Sequence, residues 1–171
     1  TAEGGDGADN ILGGNGTDML SYAGDSAGVT VKLYNGTASG GHAAGDSFSG
    51  FENLEGGSAE DYLTGDTTDN LVRGNAGDDY INVGSGDDTA EGGDGADNIL
   101  GGNGADMLSY AGDSTGVTVK LYNGTASGGH AAGDSFTGFE NLEGGSADDY
   151  LTGDTTDNLV RGNAGDDYIN V

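Results

Sequence analysis

Aspartates recur at nine-residue intervals along this chain, each shortly after a glycine-rich stretch. Asp79, Asp88, Asp97 and Asp106 occupy the sixth position of four consecutive nonapeptides. Glycine accepts the positive φ that a sharp turn requires, and such a turn exposes backbone carbonyls on its concave side. Calcium takes about six to eight oxygen ligands, from carboxylates and carbonyls together. One aspartate and its turn would provide half of such a shell, and a neighbouring turn the other half.

The nonapeptides follow the pattern G-G-x-G-x-D-x-U-x, where U is apolar. Six of them run in register over residues 56–109, two precede them at 4–21, and three follow at 144–170. Residues 22–55 and 110–143 interrupt the period, and we call these two segments the breaks. The apolar positions of the six-block run predict an inner column of single side chains, which are Leu63, Val72, Ile81, Ala90, Ile99 and Leu108.

A second, longer repeat contains the first. Residues 1–83 and 89–171 are identical except at four aligned pairs, which are Thr17/Ala105, Ala27/Thr115, Ser49/Thr137 and Glu60/Asp148. Residues 84–88 join the two copies and do not recur after Val171. We therefore expect two repeat units, 1–88 and 89–171, taken from a longer array.

The composition predicts a chain that needs cations to fold. It has 38 glycines and 30 Asp or Glu residues against four Lys or Arg, for a net charge of −26. Leu, Ile, Val and Phe total only 28 of 171 residues, a proportion typical of chains that are disordered alone. The charge argues against nucleic acid as a partner, and no apolar run is long enough to insert into a membrane. Cysteine is absent, so disulfides and thiolate metal sites are excluded.

The nonapeptide resembles the calcium-binding repeat of the RTX, or hemolysin-type, family. In that family two nonapeptides form one 18-residue coil of a parallel β-roll, and the loops alternate between its two edges. The resemblance therefore implies an all-β parallel β-roll with calcium between loops 18 residues apart. Two blocks depart from the pattern, since Asn70 replaces the aspartate of residues 65–73 and Ala59 replaces a glycine of residues 56–64.

On this resemblance, calcium is expected between Asp61 and Asp79, Asp79 and Asp97, Asp88 and Asp106, and Asp149 and Asp167, with Asn70 and Asp88 as a weaker pair. The full set of expected metal ligands comprises the side chains of Asp9, Asp18, Asp46, Asp61, Asn70, Asp79, Asp88, Asp97, Asp106, Asp134, Asp149 and Asp167, and the carbonyls of Gly77, Gly84, Gly86, Gly93, Gly95, Gly102 and Gly104.

The breaks admit two interpretations. Residues 29–34 alternate apolar and polar side chains, which predicts a half-buried strand, and Asn35-Gly36 predicts a turn. Residues 46–48 and 52–54 repeat the D-x-U triplet, so the break can be a pair of distorted coils that continue the roll. Asp46 would then share calcium with Asp61, and Asp25 would face Asp9.

The other interpretation is a β-hairpin that caps one roll and seals its end. Leu33, Phe48 and Phe51 would suit such a cap.

Other chemically capable residues have simpler explanations. In the pairs Asp78-Asp79 and Asp87-Asp88, the second aspartate is the calcium ligand and the first is expected to be solvated, so acid–base catalysis is not indicated. His42 and His130 each occur once per copy in a glycine-rich loop and are expected to be idle. The outward Tyr62 and Tyr80, with Leu71 and Met107, form either a lateral binding ladder or a cover for the roll. Lys32 and Arg73 are expected to screen carboxylates.

We therefore expect a non-enzymatic calcium-binding structural module of a secreted bacterial protein, extracellular or on the cell surface, which folds when it binds several Ca²⁺ ions. The resemblance implies type I secretion as an unfolded chain. Neighbouring repeat units are the expected partners, and no macromolecular ligand is indicated. Near-identical copies favour a long adhesin-like array. The alternatives are a secretion-assisting region of an RTX enzyme or toxin, and a self-assembling surface-layer or matrix component.

Overall fold

Short strands separated by glycine-rich turns make up the structure, a computed structural model that describes residues 1–171. The strands of the first half are β1 Asn10–Leu12, β2 Met19–Ser21, β3 Thr30–Lys32, β4 Thr37–Ser39, β5 Ser47–Ser49, β6 Asn53–Glu55, β7 Tyr62–Asp66, β8 Leu71–Ala76 and β9 Tyr80–Gly84. Those of the second half are β10 Thr89–Asp94, β11 Asn98–Leu100, β12 Met107–Ser109, β13 Thr118–Lys120, β14 Thr125–Ser127, β15 Ser135–Thr137, β16 Asn141–Glu143, β17 Tyr150–Thr152, β18 Val160–Arg161 and β19 Tyr168–Asn170. Each break also holds two 3₁₀ turns, at Leu33–Asn35 and Gly41–Ala43 and at Leu121–Asn123 and Gly129–Ala131.

Consecutive nonapeptides alternate between two facing sheets, so the chain winds as a parallel β-roll. One sheet has seven strands in the order β18-β16-β12-β10-β8-β6-β2. The opposite side has eight strands in the order β1-β5-β4-β3-β7-β9-β11-β15, continued by a four-stranded sheet in the order β14-β13-β17-β19. In the six-block run, partners lie 18 residues apart in parallel register, as Ile81 beside Ile99 and Val72 beside Ala90 show. The predicted all-β parallel β-roll is confirmed.

The core is a column of single apolar side chains contributed by each sheet. Leu63, Val72, Ile81, Ala90, Ile99 and Leu108 are all fully buried, as their position in the nonapeptide predicts. The columns continue through the breaks, where Leu54 lies between Leu20 and Val72 in one sheet and Phe48 lies beside Ile11 in the other.

Each break continues the roll on one side and inserts a hairpin on the other. In the seven-stranded sheet β2 pairs directly with β6, and β6 with β8, all in parallel. In the opposite sheet β3 and β4 form an antiparallel hairpin that lies between β5 and β7. Both interpretations of the break are therefore partly right, because the hairpin exists but lies within the sheet rather than sealing an end.

The hairpin is shorter than its alternating sequence predicts. Its first strand covers only Thr30–Lys32, because the chain turns into the 3₁₀ turn Leu33–Asn35. Gly36 ends that turn with φ 64°, a left-handed conformation that suits glycine and accounts for the Asn35-Gly36 turn signal. The same geometry recurs at Gly124 in the second copy.

Candidate functional site

The acidic positions of the repeat form two columns, one along each edge of the roll. Within a column, the backbone N–H of each acidic residue donates to the Oδ1 atom of its counterpart one coil later. The N–H of Asp61 reaches Asp79 at 2.8 Å, that of Asp79 reaches Asp97 at 2.9 Å, and that of Asp88 reaches Asp106 at 3.0 Å. One oxygen of each carboxylate is thereby fixed, and the other points into the loop.

Six of these second oxygens are buried without any hydrogen-bond partner. A buried carboxylate oxygen without a partner is costly, and native structures satisfy nearly all such atoms. A cation seated in the loop would satisfy them, so the residues present fit a metal of the kind that prefers oxygen ligands. The atoms are the Oδ2 oxygens of Asp9, Asp18, Asp79, Asp88, Asp97 and Asp106.

Glycine leaves the space that these carboxylates occupy. A Cβ atom on Gly74 would overlap Oδ2 of Asp79, and one on Gly92 would overlap Oδ2 of Asp97. Other turn glycines bring successive loops together, because the carbonyls of Gly77 and Gly86 lie directly against Gly95 and Gly104 of the next coil. The predicted carbonyl donors all have the positive φ of a sharp turn, and they are Gly77, Gly84, Gly86, Gly93, Gly95, Gly102 and Gly104.

Burial disfavours the ionised form of these carboxylates when no cation is bound. Desolvation, reinforced by neighbouring aspartates, raises the pKa of Asp79 to about 8, that of Asp97 to about 7 and that of Asp88 to about 6. Burial likewise raises the pKa of Asp106. A divalent cation would offset the desolvation and the mutual repulsion, so the electrostatics also favour an occupied site.

Every nonapeptide pair expected from the resemblance is adjacent in the structure. Asp149 donates its N–H to Asp167 at 2.9 Å, as Asp61 does to Asp79 one copy earlier. Asn70 donates its N–H to Asp88 at 2.7 Å, but its side-chain amide donates to the carbonyl of Glu52 at 2.7 Å. The amide oxygen of Asn70 lies against Gly65, as Oδ2 of Asp79 lies against Gly74, but it accepts the N–H of Asp66 at 2.7 Å, so Asn70 offers a metal no free oxygen.

The expected pairing within the breaks is wrong. Asp46 lies against Asp9, whose N–H it accepts at 2.9 Å, and not against Asp61. Asp25 lies beside Asp61 and Gly57 rather than beside Asp9. The inserted hairpin causes this exchange, since it separates the Asp46 coil from the Asp61 coil. In the second copy, Oδ1 of Asp134 likewise accepts the N–H of Asp97 at 2.9 Å.

Two sets of acidic residues extend the columns beyond the predicted positions. Glu52 and Glu140 take the place of an aspartate, with Oε2 accepting from the N–H of Asp18 at 2.9 Å and of Asp106 at 3.0 Å. The sequence signal that could have predicted this role is the E-N-L triplet, which matches D-x-U and places the glutamate at the acidic position.

A third, outer row consists of the aspartates that directly precede the acidic position of the repeat. Asp69 accepts from Asp87, Asp78 from Ala96 and Asp87 from Ala105, each from a backbone N–H at 2.9–3.0 Å. The sequence predicts that Asp78 and Asp87 are solvated. All three aspartates are exposed, but they also tie each coil to the next.

The remaining candidates have structural contacts. Nε2 of His42 lies 3.2 Å from Oδ1 of Asp6, and Nε of Arg73 lies 2.7 Å from Oε2 of Glu91. Tyr62 stacks on Tyr80 with centroids 4.4 Å apart, and Nζ of Lys32 lies 5.3 Å from the centre of the Tyr62 ring. Tyr62 is 40% exposed, but its ring is held by Tyr80 and Lys32, which favours the role of covering the roll. Met107 is buried and Leu71 is half-buried, so they do not extend an exposed ladder.

Stacked glycine loops, parallel sheets and buried carboxylates with free oxygens define a cation-binding parallel β-roll. A family model described as "RTX calcium-binding nonapeptide repeat (4 copies)" matches residues 1–26, 48–81, 55–90, 83–114 and 135–170, which together cover most of the chain. The chain therefore belongs to the RTX calcium-binding nonapeptide repeat family, and it is a Ca²⁺-binding structural repeat. Residues 27–47 and 115–134, which hold the inserted hairpins, lie outside the matches.

No curated protein matches the chain. None of its helices has the length and apolar character needed to cross a membrane.

Proposed function

We propose that this chain is a calcium-folded segment of a long extracellular array in a secreted bacterial protein. The observation that carries the proposal is the set of six buried, partnerless carboxylate oxygens at the acidic positions of the repeat. Bound calcium would supply positive charge that neutralises these carboxylates and joins consecutive loops. The chain's own residues fix the carboxylates through backbone N–H groups and leave room for the ion through glycines.

The proposed ligands are those whose free oxygens face a loop. They are Asp79 and Asp97 on one edge and Asp88 and Asp106 on the other, with Asp9 and Asp18 repeating the arrangement near the start of the chain. The charge of −26 explains why such a chain would be unfolded without calcium, since the carboxylates of neighbouring coils repel one another. An unfolded chain in low cytosolic calcium suits secretion, and folding would follow outside the cell.

Two near-identical copies support an array over the alternative of a secretion-assisting region in an enzyme or toxin. The seven-stranded sheet is also continuous across the junction of the copies, because β8, β10 and β12 pair in sequence. Successive units therefore stack into one roll, as a structural rod or spacer requires. The self-assembling alternative has less support, because Tyr62 already contacts Tyr80 and Lys32, and the buried Met107 does not extend the tyrosine pair into a longer ladder.

The test is far-UV circular dichroism of the whole chain, titrated with calcium from EDTA. We expect a cooperative increase in β-structure at about 10⁻⁴–10⁻³ M Ca²⁺, the range of extracellular modules. Magnesium is the control, because it requires a tighter octahedral shell and should not replace calcium. If the spectrum in millimolar calcium equals that in EDTA, the proposed calcium-dependent folding is refuted.

A further inference from the structure

The aspartates of the breaks differ from Asp79, Asp88, Asp97 and Asp106 in having both carboxylate oxygens partnered. Oδ1 of Asp46 accepts from the N–H of Asp9 at 2.9 Å, and its Oδ2 accepts from the hydroxyl of Tyr22 at 3.0 Å. In the second copy, Asp134 accepts from the N–H of Asp97 and from the hydroxyl of Tyr110, both at 2.9 Å. A tyrosine hydroxyl thus donates to the oxygen that is free at Asp79 or Asp97.

In the next coil, both carboxylate oxygens of the aspartate also accept hydrogen bonds. Asp61 accepts from the N–H of Val29 at 2.7 Å and from that of Gly57 at 2.6 Å. Its counterpart Asp149 accepts at 2.8 Å and 2.7 Å from the corresponding N–H groups of the second copy.

Asp25, which lies beside Asp61, is held in the same way. It accepts from the N–H of Ala27 at 2.9 Å and from that of His42 at 2.5 Å. Asp113 repeats the contacts at 2.7 Å and 2.6 Å with Thr115 and His130. Protein donors therefore occupy the oxygens that a calcium ion would need at these six carboxylates.

We propose that the breaks are calcium-independent coils in which Tyr22 and Tyr110 act as positioning residues that take the place of the ion. This inference rests on the proposed function, since it divides the roll into stretches that require calcium and stretches that do not. It also removes Asp46, Asp61, Asp134 and Asp149 from the set of metal ligands expected from the repeat.

Burial of the tyrosines agrees with this role. Tyr22 is 3% exposed and Tyr110 2% exposed, so each hydroxyl needs the partner that the aspartate provides. Burial and the neighbouring carboxylate raise the pKa of Tyr22 above its usual range, and burial does the same for Tyr110. Each phenol therefore keeps the proton that it donates.

The breaks also carry a denser core than the nonapeptides, which contribute at most two buried apolar side chains per block. In the first break, Phe48 and Phe51 pack edge to face with centroids 6.4 Å apart. The buried apolar residues of that break are Tyr22, Val29, Val31, Leu33, Ala43, Phe48, Phe51 and Leu54. Its antiparallel hairpin depends on local contacts, which form quickly. A break folded without calcium would present edges on which calcium-bound coils assemble in both directions.

The first experiment counts calcium ions by isothermal titration calorimetry on the full chain. Asp46→Asn with Asp134→Asn should bind as many ions as the unaltered chain. Asp79→Asn with Asp97→Asn is the matched pair from the same column, and it should bind fewer. A lower count for the Asp46 and Asp134 variant would overturn the inference while leaving the proposed function intact.

The second experiment measures hydrogen exchange of the full chain in EDTA. We expect amides of residues 29–55 and 117–143 to exchange at least about tenfold more slowly than those of residues 74–109. Tyr22→Phe with Tyr110→Phe should remove much of that protection, by about tenfold or more, because a buried carboxylate oxygen loses its donor. Tyr34→Phe with Tyr122→Phe is the control, since these rings are 57% and 56% exposed.

Equal exchange in the breaks and in the nonapeptide run would overturn the inference. So would identical exchange in the two tyrosine variants. A chain that binds no calcium would instead refute the proposed function, and the exchange measurement in EDTA would still decide the role of the breaks.

Discussion

Replacement of Gly92 by alanine should damage the proposed calcium site at Asp97 without straining the backbone. A Cβ atom at this position would overlap Oδ2 of Asp97 and lie 2.8 Å from its Cγ, so the carboxylate must move. The φ of Gly92 is not in the left-handed region, and alanine can adopt the local conformation. The substitution therefore tests the space for the carboxylate rather than the flexibility of the turn.

The size of the effect follows from the contact that Asp97 loses. Its Oδ1 accepts the buried N–H of Asp79 at 2.9 Å, and a hydrogen bond to a charged group contributes about 1.5–3 kcal/mol. Replacement of glycine by alanine also stabilises the protein by up to about 1 kcal/mol, because it reduces the conformational entropy of the unfolded chain. We expect the free energy of unfolding in saturating calcium to fall by about 1–2 kcal/mol, and by more if the ion at Asp97 is lost.

The assay is urea unfolding followed by circular dichroism at fixed calcium, with a calorimetric count of bound ions. Gly112→Ala is the matched control, because a Cβ atom there meets nothing within 4 Å and its φ is likewise not left-handed. It should leave the calcium affinity unchanged and the stability equal or slightly higher. If Gly92→Ala binds calcium as the control does and unfolds at the same urea concentration, the carboxylate pocket is misassigned.

Three further predictions concern pH, the core and the surface. In EDTA, the folded state binds extra protons through Asp79, Asp97 and Asp88, whose pKa values are raised to about 8, 7 and 6, so the folded fraction should fall as pH rises from about 4 to 8. Far-UV circular dichroism in EDTA at pH 5 and pH 8 checks this, and Asp79→Asn with Asp97→Asn should weaken the dependence; β-structure that increases with pH would contradict it. Leu108→Ala should cost about 2–5 kcal/mol in urea unfolding at fixed calcium, since the side chain is fully buried, whereas Leu12→Ala, at a position 68% exposed, should cost less than about 0.5 kcal/mol. Arg73→Ala should cost less than about 1 kcal/mol, because its 2.7 Å ion pair with Glu91 is partly exposed; a larger loss would show that the arginine also supports packing.

The period of nine residues, together with the 18-residue coil that the family resemblance implies, predicts the features that depend on stacking identical turns. It places Ile81 over Ile99 and Asp79 over Asp97, because a parallel roll of 18-residue coils has only one register that buries the apolar positions. It also accounts for the positive φ of turn glycines such as Gly95 and Gly104. In these stretches, local pattern and tertiary contact require the same arrangement.

The breaks could not be predicted in the same way, because their partners depend on a strand pairing that no period specifies. Residues 46–48 match the nonapeptide triplet, and the pattern alone allows them to stack on either side of the hairpin. The antiparallel pairing of β3 with β4 decides the outcome by filling the space between β5 and β7. The bond from Tyr22 to Asp46 escapes sequence reasoning for the same reason, since the two residues meet only once the coil has closed.

The one-sided insertion also predicts the shape of an array. Across each break, one sheet gains two strands that the other lacks, since β3 and β4 separate β5 from β7 while β6 pairs directly with β8. Two strands at about 4.8 Å each lengthen one face by about 10 Å, comparable to the distance between packed sheets. The roll should therefore bend by some tens of degrees at each break, always toward the seven-stranded sheet.

Small-angle X-ray scattering in calcium, compared with a variant that lacks residues 29–40 and 117–128, measures this bend. Equal maximum dimension per coil in the two proteins would show that the hairpin bulges outward and leaves the axis straight.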